Sequence, residues 1–165
     1  MPDWESLVRE SGPAVYRTAW KILRNAEDAE DVLQDVLLEL FQMLQRRPVD
    51  QYDGLVRRMA VLRSLDRLRQ RKRVLSLGEN VAEVSREDPE TLAIQNELAE
   101  WLRAAVARLP EQAASVFCLW HFENLSNSEI AVVLGVSQSA VSTALNKARN
   151  RLETMLNQSF IGERR

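Results

Sequence analysis

Guanidinium and carboxylate groups are the chemical equipment of this chain, and their spacing separates them into sets. Arg57, Arg58, Arg63, Arg67, Arg69, Arg71 and Arg73 crowd into QYDGLVRRMAVLRSLDRLRQRKR, residues 51–73. At that density they suit a phosphate backbone, through bidentate hydrogen bonds and counterion release. A solvated basic face or a membrane-surface helix are the alternatives. Glu27, Asp31, Asp35 and Glu39 recur four apart, as one acidic helix face that either meets a cationic partner or simply meets water. Gln138, Ser142 and Asn146 share the face of a later helix, where amides and hydroxyls can read base edges, Gln and Asn pairing best with adenine. Catalysis is not indicated. His121 and Cys118 are the sole residues of their types, three apart in an apolar segment, too few for a structural zinc site. Cys118 reads as a core thiol. The expectation is no enzyme, no metal and no cofactor.

The elements that must position these groups are helices. LSNSEIAVVLGVSQSAVSTALNKARNRL, residues 125–152, carries its own punctuation. Ser126 caps a helix, Glu129 closes a capping box, and Leu125 and Ile130 form a staple. Gly135 stops that helix in the left-handed conformation. Ser137 caps the next, in which Val141, Leu145, Ala148 and Leu152 form a single apolar stripe. The pattern predicts a helix-turn-helix whose second helix enters the major groove. Upstream, a first helix spans 4–24, kinked or split at Gly12-Pro13. Asn25 caps a second, running to about Arg46, broadly apolar through Ala29, Val32, Leu33, Val36, Leu40, Met43 and Leu44. After the loop 45–54 comes the basic helix, with a stripe at Leu55, Met59, Leu62 and Leu65. Helical periodicity fades across Val74–Pro89. It resumes over Glu90–Leu109 and again after Pro110, read as the first residue of its helix, and the chain is expected to fray after Leu156.

Charge follows the same divisions. Residues 1–50 carry a net −4, 51–73 a net +6, 74–100 a net −6 and 101–165 a net +2, so the overall −2 conceals strong segregation. No run of about 18 apolar residues exists to span a membrane, and Met1–Glu5 does not begin a signal peptide. With one cysteine no intramolecular disulfide is possible, which fits a reduced cytoplasmic setting. The predicted fold class is all-α: two small helical domains, residues 1–75 and 90–158, joined by an acidic linker at 76–89, the second containing the helix-turn-helix.

Two helical clusters, one ending in an arginine-rich helix and one in a helix-turn-helix, resemble the extracytoplasmic-function sigma factors of bacterial RNA polymerase. Ala29-Glu30-Asp31 with Gln34 matches one family signature, and Asp66-Arg67-Leu68-Arg69 another. Residues 109–137 follow the family's run from Leu-Pro-Glu into the helix-turn-helix, and Lys147-Ala148-Arg149 its ending. The resemblance implies core RNA polymerase, promoter DNA and a cognate anti-sigma protein as partners. It assigns polymerase binding to Asp31, Gln34, Asp35 and Leu38. It assigns downstream promoter contact and melting to Arg47, Tyr52, Arg58, Arg63, Arg67 and Arg69. Upstream reading falls to Gln138, Ser139, Ser142, Thr143, Asn146, Lys147 and Arg149.

Departures from the family pattern carry their own expectations. Leu55 stands where an aromatic residue is usual and Leu62 where an Asn is usual. Ser139, Ala140, Ser142 and Ala144 leave the recognition helix almost neutral, which predicts weaker and less salt-sensitive upstream binding. A helix-turn-helix regulator acting without polymerase, or a sigma-like interaction module, are the competing readings. The acidic second helix and the Asp-Arg-x-Arg helix argue against the former.

Overall fold

A computed structural model describes residues 3–50, 52–76 and 89–161, and all the regular structure in them is helical. The helices are α1 (Trp4–Leu23), α2 (Ala26–Arg46), α3 (Tyr52–Ser76), α4 (Pro89–Val106), α5 (Glu111–His121), α6 (Asn127–Leu134) and α7 (Gln138–Ile161). The expected linker at 76–89 lies almost wholly outside the described residues.

Local chemistry sets most helix ends. Asn25 Oδ1 accepts from the Asp28 N–H at 2.9 Å, so α2 begins where its cap predicts. Asp3 caps α1 in the same way, accepting from the Glu5 N–H at 3.3 Å. The expected break at Gly12-Pro13 does not split α1, which runs unbroken through Pro13. Gly12 and Val15 are buried there, and Leu33 of α2 packs 3.9 Å from where a Gly12 side chain would begin. Packing against α2 therefore outweighs the loss of one backbone donor. Pro110 is the cap before α5 rather than its first residue. The tail does not fray at Leu156, since α7 continues to Ile161.

The basic helix departs most from its amphipathic reading. Besides Met59 and Leu65, α3 buries Val56, Ala60, Val61, Ser64 and Leu68, so its apolar surface reaches well beyond one stripe. It packs on α1 and α2 in the N-terminal half and on α4, α5 and α6 in the C-terminal half. At its first turn Gly54 lies beside the backbone of α6, with Val133 Cα 3.8 Å from the position of an added side chain, an ordinary van der Waals contact. Arginines tie the halves at helix C-termini, where carbonyls lack partners. Arg103 of α4 donates across the halves to Ile22 O at 2.7 Å, while within the first half Arg71 of α3 donates to Leu23 O at 2.9 Å. Arg69 reaches Ala107 O at 3.4 Å and Leu109 O at 3.5 Å.

Candidate nucleic-acid interface

The second half builds its helix-turn-helix as the sequence predicts. Ser126 Oγ accepts from the Glu129 N–H at 3.2 Å, Gly135 takes φ 65° and ψ 36°, and Ser137 Oγ accepts from the Ala140 N–H at 3.1 Å. Among the described residues the Glu129 side chain does not return the second bond of the capping box. Helices α6 and α7 cross at 105°. Ile130, Ala131, Val141, Leu145, Ala148 and Leu152 are buried between them and α5. That burial turns the polar side of α7 outward, with Gln138, Ser139, Thr143, Asn146 and Lys147 exposed.

Two residues assigned to that surface have other commitments. Ser142 is half-buried and accepts from Asn127 Nδ2 at 3.2 Å, which ties α7 to α6. Arg149 stacks its guanidinium 4.3 Å from the centre of the Trp120 ring on α5. Neither could be told from the sequence, since both contacts join residues distant along the chain. A base intended to strengthen upstream binding therefore belongs at Ser139 rather than Ser142. Ser139→Arg is expected to raise the affinity of the full chain for duplex DNA and to steepen its log–log salt slope by about 0.9, one added phosphate contact. Salt titration of duplex binding checks this, and an unchanged slope would place the first turn of α7 away from DNA.

In the first half the acidic and basic sets face each other. Arg63 Nε and Nη2 donate to Glu39 Oε2 at 3.0 and 2.8 Å, and Nη1 donates to Asp66 at 2.9 Å. Arg67 Nη2 donates to Asp31 Oδ2 at 2.7 Å. Arg71 is paired with Asp28. These pairs form a ladder between α2 and α3. The hydrogen bonds it donates to Glu39 hold the Arg63 guanidinium above its ordinary pKa, partly opposed by desolvation. Asp31 is half-buried against Arg67, its side chain still 41% exposed. Gln34 and Asp35 remain exposed, and Leu38 is 59% exposed. Phe41, one turn on, is 41% exposed and meets Trp4 edge to face, 5.0 Å between ring centres. Arg47 and Arg58 are exposed, and among the described residues neither has an ion-pair partner. Tyr52 is half-buried at the start of α3.

Cys118 is fully buried, and burial pushes its thiol up to about 12 despite the nearby positive charge of Arg69. That is an inert core thiol. Among the described residues no group of three or more His, Cys, Asp or Glu is placed to hold a metal ion, and no single helix is long and apolar enough to cross a membrane.

Comparison with known proteins matches both halves. Residues 7–74 match the family model of sigma-70 region 2, and residues 99–152 that of sigma-70, region 4. The ECF RNA polymerase sigma factor SigE of Mycolicibacterium smegmatis is 32% identical over 160 residues, covering 94% of this chain. The chain spans 62% of that relative's length. The RNA polymerase sigma-E factor of Streptomyces coelicolor is 29% identical over 159 residues, covering 93% of this chain and 86% of the relative. SigW of Bacillus subtilis is 22% identical, covering 86% and 82%. Among solved structures, the sigma factor RpoE from Bartonella quintana, crystallised with the anti-sigma factor NepR, aligns with a TM-score of 0.54 at 18% identity, over 95% of this chain and 98% of that one. CnrH in complex with the cytosolic domain of CnrY aligns with a TM-score of 0.54 at 19% identity, over 93% and 87%. At such identities the likeness is one of fold.

Proposed function

Because the chain belongs to the sigma-70 family, in its extracytoplasmic-function group, we propose that it directs core RNA polymerase to specific promoters in the cytoplasm. The observation that carries this reading is the pairing of two open faces on one chain. Gln34, Asp35 and Leu38 present an exposed, mixed acidic and apolar strip on α2, and Gln138, Ser139, Thr143, Asn146 and Lys147 present a polar strip on α7. An exposed leucine beside a carboxylate suits a helical partner with apolar and cationic residues. A regulator acting without polymerase needs only the α7 strip. Arg47, Tyr52 and Arg58, near the junction of α2 and α3, are the residues best placed for downstream promoter contact. Asp31, Arg63, Arg67 and Arg69 already hold intramolecular partners, with which any new partner competes. The fold relative crystallised with the anti-sigma factor NepR supports an anti-sigma partner for this chain too.

The test is transcription in vitro with core polymerase on a genomic library, where discrete start sites are expected with the chain and none without it. Leu38→Glu with Asp35→Lys should weaken polymerase capture at least about tenfold, the loss typical of one interface hot spot. Both positions are exposed, so helicity should not change. Unchanged capture with intact circular dichroism would remove α2 from the interface.

A further inference from the structure

The resemblance gives Asp31 to polymerase and Arg67 to DNA, yet in the structure they hold each other at 2.7 Å. The same arrangement recurs one and two turns along. Glu39 takes two donors of Arg63, and Asp28 takes Arg71. An arginine whose guanidinium is bonded to a carboxylate presents little net charge to a phosphate and releases no counterion on its behalf. A carboxylate so engaged is likewise only partly available to a cationic protein surface. The side chains of Asp31 and Arg67 remain 41% and 30% exposed, so an incoming group can reach either one.

We propose that the Asp31–Arg67 pair couples polymerase capture to DNA binding: a cationic polymerase surface that takes Asp31 releases Arg67 to phosphate. Glu39 and Arg63 form a second rung, held more firmly because Arg63 is also bonded to Asp66. The proposal rests on the promoter-directing reading. Its physical basis is that a half-exposed pair of this kind is weak, so a competing cation can displace it at small cost. Asp35, an exposed acid one turn from Asp31 and without an ion-pair partner among the described residues, would make first contact.

The experiment compares the full-length chain free and bound to core polymerase. In the free chain, Asp31→Asn should raise affinity for a random-sequence duplex about two- to fivefold, the scale of one released surface pair. It should also steepen the log–log salt slope by about 0.9. Glu27→Gln removes the same charge from the same face of α2, at an exposed position without an ion-pair partner among the described residues, and should leave the slope unchanged. Equal effects from both would reduce the result to overall charge and overturn the proposal. Arg67→Ala should leave the free chain's slope unchanged and lower that of the polymerase-bound chain by about 0.9. Equal loss in both states, or none in either, refutes the coupling. Polymerase capture of the unaltered chain is recorded alongside. No capture refutes the promoter-directing reading, whereas capture with indistinguishable Arg67→Ala slopes refutes the coupling alone.

Discussion

Val141→Asp is expected to unfold the reading surface and abolish sequence-specific duplex binding. Val141 is fully buried on α7, within the packing of α5, α6 and α7. A carboxylate there has no partner and must either be desolvated or break the motif open, at about 3–5 kcal/mol. Against a domain stability of about 5–15 kcal/mol, that is a large share. Circular dichroism should lose part of its helical signal while α2 still captures polymerase. Gln138→Ala provides the contrast: it is exposed, should change stability by less than about 0.5 kcal/mol, and should still alter base preference. Native helicity and melting in Val141→Asp would show that α7 is not seated as described. A normal base preference in Gln138→Ala would remove the first turn of α7 from readout.

Arg103→Ala is expected to uncouple the two halves. Arg103 is only 7% exposed, and its Nε donates to Ile22 O across the junction of α4 and α1. Burial lowers its pKa, with Arg24 and Arg71 adding repulsion and Glu100 opposing it. Truncation leaves the Ile22 carbonyl without that donor and opens a cavity, together about 2–4 kcal/mol. Arg103→Lys should rescue little, since an ammonium cannot reproduce the planar donor fork. Calorimetry should resolve separate transitions for the halves, against the single transition expected of the unaltered chain. A single transition at unchanged temperature would mean that Arg103 does not hold them together.

The difference between these sites and the ones readable earlier lies in the range of the forces. Asn25, Ser126, Gly135 and Ser137 act within one turn of their own position, so capping and handedness announced α2, α6 and α7 from sequence. The stripe at Val141, Leu145, Ala148 and Leu152 foretold which side of α7 would be buried, and hence that Gln138, Ser139, Thr143, Asn146 and Lys147 would face out. The core stripe of α2 likewise left Asp35 facing out, whereas the 59% exposure of Leu38 was decided by how α2 packs. Other features needed partners far away in the chain. Pro13 reads as a break until Leu33 is packed near Gly12. The basic helix reads as one-sided until both halves close around it. Ser142 and Arg149 read as uncommitted side chains until Asn127 and Trp120 are packed beside them. Above all, the sequence determined that α2 is acidic and α3 basic, because composition alone fixes charge. Only the tertiary structure decided that Asp28, Asp31 and Glu39 answer Arg71, Arg67 and Arg63. An ion pair spends its attraction on whichever opposite charge lies within a few ångströms, and that distance is set by helix packing rather than by spacing along the chain.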